Sequence, residues 1–581
     1  MKIQKDIFTV EYSDGFSCRL SEKTETDGVS VYRFHLGWKT DGLTEDSAFT
    51  FRFEEPMNDM LYAFYPDARM FRAITPDWYA PRDSMTSYSA PLSVFYNGRS
   101  ENVYTWALDE CSKHVRFRSG AHEYDGKLRC MFTLPVKQFT GASETDIAVR
   151  IDRRRLPIGD VVAAVADWWA DDCLMRPAYV PADAKEPVYS FWYSFHQDVS
   201  AAAVEEECKK AKQLGFDVCI VDDGWCLRKD EHGYGRAGVW LPDKEKFPDM
   251  RAHVKAVHDI GMKYILWFST SFIGMDSDVA ERFADMVLYK QEHMRILVLD
   301  PRYKEVREFI AGNFVHAVKE WDLDGVKLDF IDQWKYRADN PPCNERMDIP
   351  ELSEAVDRLM LNVADGLRSV KPDILIEFRQ NYIGPMMRKY GNMFRVADCP
   401  NDGMSNRIGV LDLRLLMGKS AVHSDMLTWH PDEKAETAAL QVLSAFFGTL
   451  QFSQKIDTLS ERQYRMVKFY LHFMQSHRHL LQEGHISVYQ PEDMYTWAMS
   501  TTDDACAVAV YAPEVCIHPP KKDTVYIANA CMSDRIILEL HGRYACTVYD
   551  CTGTVVGDEI WTFDGLSSLP VSVGGLIVLR K

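Results

Sequence analysis

The chain of 581 residues lacks any segment that would hold it in a membrane or send it across one. No apolar run approaches the roughly 18 residues that a membrane-spanning helix needs. The first residues, MKIQKDIFTVEYSDG, contain neither an apolar core segment nor a small-residue cleavage site, so no secretory signal is predicted. We therefore expect a cytoplasmic protein with no membrane partner.

Paired cysteines are also missing. The 14 cysteines are scattered, and none forms a C-x-x-C pair. Several lie in strand-like apolar runs, among them Cys219 in VCIV and Cys506 in ACAVAVY. We interpret them as buried thiols in a reducing compartment, and we expect no metal site.

Positive charge is in deficit, since 67 Lys and Arg stand against 86 Asp and Glu, for a net charge of -19. That balance disfavours nucleic acid as a partner, because phosphate binding needs a positive field. No G-x-G-x-x-G or P-loop motif follows a predicted strand, which counts against nucleotide use, and no cofactor is expected. The acidity suits a protein that acts on neutral molecules.

The remaining composition is that of a globular protein, with 46% hydrophobic and 26% charged residues. Residues 1–180 predict an N-terminal β-sandwich and a linker, from short alternating runs such as VSVYRFHLGW and from three prolines, Pro177, Pro181 and Pro187. Residues 495–581 predict a small antiparallel C-terminal β-sandwich, from the runs YTWAMST, ACAVAVY, TVYIANA, RIILEL, ACTVYD and GLIVL.

Between these blocks, at 185–490, strand-like runs alternate with amphipathic helices. One helical stripe, for example, places Val204, Cys208, Ala211 and Leu214 together before the next strand. Eight alternations favour an α/β fold of the parallel (β/α)₈ barrel type, with a doubly wound open sheet as the competitor. The run ILVLD predicts an extra strand in a connection. The eight candidate strands are PVYSFWY, DVCIVDD, MKYILWF, DGVKLDF, ILIEF, MFRVAD, SAVHSD and TLQFS.

Charged residues inside these strands mark the candidate site. In DGVKLDF the side chains alternate, so Lys327 and Asp329 face away from the apolar set and toward the barrel axis. A charge there is costly unless it is paired or functional, and Asp329 lies near the strand end where barrel active sites form. A buried Lys–Asp pair is the structural alternative.

Other strand ends carry carboxylates as well. Asp222 and Asp223 are adjacent after the second strand, where they suit binding of vicinal hydroxyls or, alternatively, a helix cap. The sixth strand ends in Arg395 and Asp398; the pair is either functional or a structural bridge. Carboxylates from two different strand ends are what glycosidic bond cleavage requires.

Further candidates lie around these strand ends. Asp402 follows Asp398, and Trp267 is either an apolar platform for a ligand or a core residue. His423, Asp425 and His430 could line the mouth of the pocket.

The motifs DDGW, KLDF and RVAD, in that order, resemble those of melibiase-type α-galactosidases, glycoside hydrolase family 36 of clan D. The segments LDPRYKEVREFI, GKSAVHSDMLTWH and FFGTLQFSQKIDTLSERQ extend the resemblance, which covers about residues 185–581. The resemblance implies that Asp329 is the nucleophile and Asp398 the acid/base. A pKa of the acid raised by its neighbour's negative charge would suit this cycle.

The same resemblance implies the residues that bind the sugar. Asp222 and Asp223 match residues that bind the 4- and 6-hydroxyls of galactose. Lys327 and Arg395 match the basic residues beside the nucleophile and the acid, and Trp192 and Trp267 match aromatics of the pocket.

The chain departs from the family pattern after the fifth strand, near the 2-position of the sugar. A Cys-Ser-Gly-Gly-rich loop is replaced by EFRQNYIGP, which includes Arg379. Asp402 is a rival for the acid, because the spacing after Asp398 differs from the family's.

The expected activity is that of a retaining exo-glycoside hydrolase acting on terminal α-galactosides of small oligosaccharides or glycosides. The alternatives are an α-N-acetylgalactosaminidase or other α-glycosidase, a transglycosylase of the raffinose-synthase kind, and a non-catalytic carbohydrate-binding protein. The oligomeric state stays open.

Overall fold

A computed structural model describes residues 1–44, 46–67, 70–228, 232–238 and 240–581. The N-terminal part is a sandwich of two six-stranded antiparallel sheets, with strand orders β1-β2-β5-β11-β10-β7 and β3-β4-β12-β9-β8-β6. Its strands are β1 (Lys2–Lys5), β2 (Phe8–Tyr12), β3 (Ser17–Thr26), β4 (Val29–Gly37), β5 (Ala48–Pro56), β6 (Tyr62–Phe64), β7 (Arg82–Ser84), β8 (Leu92–Tyr96), β9 (Asn102–Leu108), β10 (Val115–Ala121), β11 (Lys127–Pro135) and β12 (Glu144–Asp152).

Alternation of apolar and polar residues explains this sandwich. Along β4 and β11 every second side chain is buried, so each sheet presents one apolar face to the other. Phe8, Phe34 and Phe51 from both sheets pack edge to face in the shared core. A 3₁₀ helix, Val136–Gln138, precedes the last strand. Helix α1 (Ile158–Asp171) follows the sandwich and then leads to a second 3₁₀ helix, Ala182–Lys185.

The central part is a (β/α)₈ barrel. Its elements in chain order are β13 (Val188–Ser190), α2 (Trp192–Phe195), α3 (Ala201–Leu214), β14 (Val218–Val221), α4 (Met250–Ile260), β15 (Lys263–Ser269), β16 (Phe272–Gly274), β17 (Val287–Gln291), β18 (Ile296–Leu299), α5 (Lys304–Trp321), β19 (Gly325–Asp329), α6 (Leu352–Val370), β20 (Leu375–Arg379), α7 (Met387–Tyr390), β21 (Met393–Arg395), α8 (Gly403–Leu416), β22 (Ala421–His423), α9 (Ala435–Ser444), β23 (Gln451–Phe452) and α10 (Glu461–Ser476). Shorter turns lie at Ile331–Gln333, Ile456–Thr458 and His479–Glu483.

The eight barrel strands pair in parallel in the order β22-β21-β20-β19-β15-β14-β13-β23. Parallel bridges His423–Thr449 and Leu427–Phe452 join the two ends of this order, so the sheet closes. Each of the eight runs predicted from the sequence coincides with one of these strands, and only β15 and β20 end one residue beyond their runs, at Ser269 and Arg379. The barrel is confirmed, and the open doubly wound sheet is wrong.

Local sequence explains where the helices begin and what they bury. Ser200 caps α3 by accepting a hydrogen bond from the backbone N–H of Ala203, and the predicted stripe of that helix is buried. The predicted extra strand ILVLD is β18, which joins β16 and β17 in a small separate sheet between β15 and α5. The helix after β20 is reduced to the four residues of α7.

The C-terminal part is one curved sheet in the order β24-β25-β26-β28-β31-β29-β27, with β30 paired to β29. Strands from both ends of this order share one apolar core, so the sheet folds over on itself as in a sandwich. A 3₁₀ helix, Pro491–Asp493, lies between its first two strands. These strands are β24 (His485–Tyr489), β25 (Trp497–Thr501), β26 (Ala505–Val510), β27 (Cys516–Ile517), β28 (Thr524–Asn529), β29 (Arg535–Tyr549), β30 (Val555–Pro570) and β31 (Leu576–Arg580).

Three details of this sheet differ from the sequence prediction of an antiparallel sandwich. RIILEL and ACTVYD form the single strand β29, because its pairing with β30 continues through Gly542. Sequence analysis missed β30, whose residues are mostly exposed and show little apolar alternation. Most pairings are antiparallel, but β26 pairs with β28, and β27 with β29, in parallel.

No helix among the described segments is both long and apolar enough to cross a membrane. Cys219 and Cys506 are fully buried, as their apolar runs predicted.

Candidate active site

The carboxyl ends of the barrel strands bring the predicted charged residues together. Asp222 follows β14, Lys327 and Asp329 lie on β19, and Arg379 and Arg395 end β20 and β21. All five are buried or nearly so. Because parallel strands end at one rim, residues as far apart in the chain as 222 and 395 meet in one pocket.

Asp329 is held by four hydrogen-bond donors. Its Oδ1 accepts hydrogen bonds from Arg379 Nε at 2.7 Å, from the Tyr382 hydroxyl at 3.1 Å and from the backbone N–H of Phe330 at 2.7 Å. Among the described residues its Oδ2 accepts one hydrogen bond, from Trp267 Nε1 at 3.2 Å. Oδ1 is therefore fully occupied by protein donors, and Oδ2 is the oxygen that is freer to react.

The electrostatics of this site keep Asp329 ionised. Burial raises the pKa of its carboxyl, but the positive charges of Arg379 and Lys327 outweigh burial and bring the pKa well below its ordinary value. The hydrogen bond from Trp267 acts in the same direction. Asp329 is an anion at neutral pH.

Lys327 and Asp222 form a buried ion pair. Lys327 Nζ donates to Asp222 Oδ2 at 2.5 Å, and both side chains are at most 5% exposed. Burial lowers the pKa of Lys327, but the negative charges of Asp222, Asp329 and Glu377 together outweigh burial, so the net pKa is raised. The ammonium group thus stays charged beside both Asp222 and Asp329.

Asp223 lies next to this pair and is held by two hydrogen-bond donors of its own. It accepts hydrogen bonds from the side-chain amide of Gln197 and, at 2.8 Å, from the backbone N–H of Gly224. Burial raises the pKa of Asp223 to about 7, and the neighbouring charge of Asp222 adds to that rise. Gly224 has φ +109°, and a Cβ there would lie 2.6 Å from the backbone of Gln197, so only glycine fits.

Arg395 joins three carboxylates at the other side of the pocket. This guanidinium, 1% exposed, donates to Asp425 through Nη1 and to Asp398 through Nη2 at 2.8 Å, and its Nε lies 3.8 Å from Glu377. Glu377 also accepts from Gln451 Nε2 at 2.5 Å. Burial raises the pKa of Glu377 to about 6, against the opposing charges of Lys327 and Arg395. Arg395 therefore both positions Asp398 and balances buried negative charge.

Asp398 is the most exposed acid of the pocket, with 54% of its side chain accessible. It borders a cavity of about 180 Å³. Burial and the charge of Asp329 raise its pKa, whereas the charges of Arg395, Lys327 and Arg379 lower it. The three cations together outweigh the opposing causes, so the net pKa lies below the ordinary value.

Two predicted residues lie apart from this cluster. Asp402 caps α8, where its side chain accepts from the backbone N–H of Ser405 at 3.0 Å, so it has a structural role of its own. Trp192 lies in the short helix α2 beyond the end of β13, and its ring stacks on His196 at 4.1 Å between centroids. The placement of Trp192 on the strand itself is therefore wrong, because the chain turns after Ser190.

Trp267 and the histidine group complete the predicted set. Trp267 is buried and donates to Asp329, so it takes part in the polar cluster as well as in packing. Asp425 and His423 are fully buried beneath the pocket rather than at its mouth, whereas the side chain of His430 is 75% exposed.

Four residues that contact this cluster escaped the sequence analysis. Tyr382 donates to Asp329, Gln197 to Asp223, and Tyr193 to Asp425 at 2.9 Å. Tyr234 lies in the field of Asp223 and Asp329, and its ring packs 6.3 Å from that of Trp267. Tyr382 had a signal in the sequence, since it lies in the unusual loop after β20, whereas the others lie in connections with no distinguishing motif.

Metal chemistry has no evident site in the described segments. They contain no group of three or more His, Cys, Asp or Glu side chains arranged to hold a metal ion. Each carboxylate of the pocket instead faces lysine, arginine or an amide donor. The arrangement suits binding of a polyhydroxylated molecule between two separate carboxylates.

Comparisons with known proteins agree with this geometry. A family model described as Melibiase matches residues 169–484, more than half of the chain. The α-galactosidase Mel36A of Lactobacillus acidophilus is 29% identical over 197 residues, which cover 32% of this chain but only 25% of that relative. The α-galactosidase AgaA of Geobacillus stearothermophilus is 22% identical over 325 residues, which cover 52% of this chain and 42% of the length of AgaA.

Solved structures extend the likeness in fold to the whole chain. The structure of AgaA superposes with a TM-score of 0.67 at 14% identity, covering 100% of this chain and 89% of that one. AgaA variants have been solved in complex with raffinose and with stachyose, at TM-scores of 0.65 and 0.64, 14% identity, and coverage of 98% of this chain and 87% of theirs. At this identity the superposition shows a shared fold.

Proposed function

Since the chain belongs to the melibiase family, we propose that it is a retaining exo-glycoside hydrolase that cleaves terminal α-galactosides. The observation that carries this proposal is the placement of Asp329 and Asp398. Both carboxylates lie at the rim of one barrel, and the positive charges of Arg379 and Arg395 lower the pKa of each. Two carboxylates that act on one bond from different strands are the requirement of a double displacement.

The first step uses the anionic Asp329. One of its oxygens attacks the anomeric carbon, the bond to the leaving oxygen breaks, and Asp398 gives that oxygen a proton. Because Oδ1 already accepts three hydrogen bonds, Oδ2 is the attacking atom in this proposal. The product is a glycosyl ester of Asp329 and a free leaving group.

The second step reverses the roles. Water attacks the same anomeric carbon while Asp398 takes its proton, and Asp329 leaves as a carboxylate. Esterification removes the negative charge of Asp329, which otherwise raises the pKa of Asp398. The pKa of Asp398 therefore falls further in the intermediate, which favours its action as a base.

The low pKa of Asp398 has a kinetic consequence. Arg395 holds the free carboxyl in its ionised form, so the fraction able to donate a proton falls as the pH rises. We expect kcat/KM for unactivated galactosides to decline from the acidic side toward neutral pH, and that for nitrophenyl galactosides to decline less, because their leaving group needs little protonation.

Sugar recognition is assigned to the opposite side of the pocket. Asp222 and Asp223 lie at the end of β14 and match family residues that bind the 4- and 6-hydroxyls of galactose. Lys327 stabilises Asp222 in this position, and Gln197 with Gly224 orients Asp223. Carboxylates held in this way accept hydrogen bonds from two neighbouring hydroxyls.

The group at the 2-position of the sugar decides between related activities. Arg379 and Tyr382 are packed against Asp329, where the family has small residues. Their bulk beside the nucleophile favours a hydroxyl over an acetamido group, so α-galactosidase is preferred to α-N-acetylgalactosaminidase. Transfer of the sugar to another sugar in place of water remains the alternative for the second step.

A panel of nitrophenyl α-glycosides tests the proposal. We expect the galactoside to be cleaved with a higher kcat/KM than the N-acetylgalactosaminide and the glucoside, and NMR should show the first product in the α configuration. Preference for another sugar would refute the substrate, an inverted product would refute the mechanism, and no cleavage at all would favour a binding protein. Products formed with excess acceptor sugar distinguish transfer from hydrolysis.

Variants of single carboxylates test the roles. Asp329→Ala should abolish turnover of every substrate, and added azide should restore it by forming the β-galactosyl azide. Asp402→Ala is the matched control, because that residue caps a helix outside the cluster and its loss should leave the dependence on the leaving group unchanged.

A further inference from the structure

Asp329 and Arg379 lie side by side on neighbouring strands of the barrel. The parallel register of β19 and β20 pairs Lys327 with Glu377, so two residues further along each strand Asp329 and Arg379 point to the same face. Arg379 Nε then donates to Asp329 Oδ1 at 2.7 Å. This contact is therefore built into the pairing of two barrel strands and not into a connecting loop.

The guanidinium of Arg379 is fixed by further contacts. Its Nη1 donates to the backbone carbonyl of Gln380 at 3.0 Å, and its charge lies over the rings of Phe330 and Tyr382, at 5.5 and 5.6 Å from their centroids. Only 15% of the side chain is exposed. Since water screens a charge little at such a site, the effect of Arg379 on Asp329 is strong.

The donors around Asp329 are divided unequally between its two oxygens. Besides Arg379, Oδ1 accepts from the backbone N–H of Phe330 at 2.7 Å. The Tyr382 hydroxyl lies 3.1 Å from Oδ1 and 3.2 Å from the carbonyl oxygen of Leu328, so its single proton serves one acceptor at a time. Among the residues that the structure describes, Arg379 is the one charged donor to Oδ1.

The negative charge of Asp329 is lost in the first step of the proposed reaction and regained in the second. In the glycosyl-enzyme, Oδ2 is bonded to the anomeric carbon and Oδ1 is the carbonyl oxygen of a neutral ester. When water attacks, its proton goes to Asp398, the bond from the anomeric carbon to Oδ2 breaks, and the electron pair goes to the carboxylate. The donors to Oδ1 therefore face more negative charge in the transition state than in the intermediate, which is the condition for accelerating that step.

The first step has the opposite balance. Asp329 is already an anion when the substrate binds, and it loses part of its charge as the bond to the sugar forms. A cation beside it stabilises the starting carboxylate at least as much as the transition state, so it gives no acceleration there. Among the charges that lower the pKa of Asp329, that of Arg379 is the largest, ahead of Lys327 and Arg395. A less basic carboxylate is a better leaving group and a weaker nucleophile.

From this geometry we propose that Arg379, assisted by Tyr382, sets the rate of the second step by stabilising the carboxylate of Asp329 as it leaves the glycosyl-enzyme. The inference rests on the proposed double displacement and deepens it by assigning one step to one side chain. Arg379 is a positioning residue, since it acts through Asp329. In the competing structural role, the ion pair neutralises buried charge and has no separate effect on either step.

Separate measurement of the two steps tests the proposal. A 5-fluoro-α-galactosyl fluoride carries a good leaving group, and its ring fluorine slows both steps, so the glycosyl-enzyme accumulates. The rate of inactivation reports the first step, and the rate at which activity toward nitrophenyl α-galactoside returns after removal of the reagent reports the second. In Arg379→Met the return should be about tenfold to a hundredfold slower, the equivalent of one hydrogen bond to a charged group, while inactivation changes by less than about threefold.

Three further variants complete the experiment. Tyr382→Phe removes a neutral donor from the same oxygen and should slow the return of activity about threefold to tenfold without changing the rate of inactivation. Arg379→Lys keeps the positive charge and should restore most of the rate lost in Arg379→Met. Arg153→Met is the control, because Arg153 forms a comparable ion pair with Glu55 in the N-terminal sandwich, from Nη2 to Oε2 at 2.7 Å, and its loss should change neither rate.

The outcomes separate this inference from the proposed function. Equal slowing of both steps in Arg379→Met, or an unchanged return of activity, would refute the role in the second step and leave the galactosidase activity standing. A return as slow in Arg379→Lys as in Arg379→Met would refute the role of the charge. If the wild-type protein neither cleaves nitrophenyl α-galactoside nor is inactivated, the proposed function fails, and this inference with it. If thermal unfolding shows that Arg379→Met does not fold, Tyr382→Phe decides, and a return at the wild-type rate overturns the proposal.

Discussion

The buried pair of Lys327 and Asp222 predicts a stability effect that depends on which partner is removed. Lys327→Met leaves the carboxylate of Asp222, 4% exposed, without its cation. Breaking a buried pair in this way costs about 3–5 kcal/mol, because an uncompensated charge stays in a medium of low polarity. The double variant Lys327→Met with Asp222→Asn leaves no such charge, so we expect it to recover at least about 2 kcal/mol of the loss.

The assay is chemical unfolding of the four proteins of this cycle, followed by near-ultraviolet circular dichroism, which reports the buried tryptophans around the barrel. The exposed pair Lys255–Asp259, at 2.6 Å and with side chains more than 60% exposed, is the matched control. Its removal should change the free energy of unfolding by no more than about 0.5 kcal/mol. All variants at Lys327 or Asp222 should also lose α-galactosidase activity, whatever their stability.

Equal stability of Lys327→Met and the double variant would refute the reasoning. It would mean that the negative charge of Asp222 does not depend on Lys327, either because Asp222 is protonated in the folded protein or because it turns to another donor. That result would also refute the proposal that Lys327 holds Asp222 in position to bind a hydroxyl of the sugar.

Three further predictions concern other parts of the pocket. Asp398→Ala should lower turnover of unactivated galactosides by about 10²–10⁴-fold while sparing nitrophenyl galactosides more, and equal losses in the two kinetic assays would contradict its role as the acid. The folded protein keeps the proton of Asp223 up to about pH 7, whereas the unfolded chain releases it near pH 4; wild-type stability should therefore fall between about pH 4 and about pH 7, and thermal melts should show a smaller fall for Asp223→Asn. Gly224→Ala and Gly215→Ala should each cost about 1–2 kcal/mol of stability from their positive φ. Only Gly224→Ala should also raise KM, because its Cβ alone meets the backbone of Gln197, and an unchanged KM would show that this contact does not position Asp223.

Much of the barrel could be predicted from the sequence because buried strands and helices show a regular spacing of apolar residues along the chain. Each barrel strand coincides with a predicted run and extends at most one residue beyond it, and the side-chain alternation in DGVKLDF correctly placed Lys327 and Asp329 together on the inner face. The boundary of the first strand was wrong at Trp192, since an apolar run looks alike whether the chain continues straight or turns. Strand β30 was missed because an exposed strand has no apolar pattern to detect.

The identity of the charged residues at the strand ends was also in the sequence, but their partners were not. Arg395 was paired with Asp398 from the motif, whereas its other contacts were not predicted: Glu377, on β20, lies 18 residues earlier in the chain, and Asp425, beyond the end of β22, lies 30 residues later. The net direction of the pKa of Asp398 depends on that arrangement, because the distance between charges, and not their order in the chain, sets the balance of burial and attraction.

The sequence by itself determined most of the buried strands and amphipathic helices and which carboxylates stand at the strand ends, because these follow from periodicity and from neighbours in the chain. Only the tertiary structure decided that Arg379 and Tyr382 occupy one oxygen of Asp329, and that Arg395 donates to Asp425 as well as to Asp398. Barrel closure and the packing of one domain on another bring together residues hundreds of positions apart. Their contacts depend on the summed geometry of every element between them, which no local pattern records.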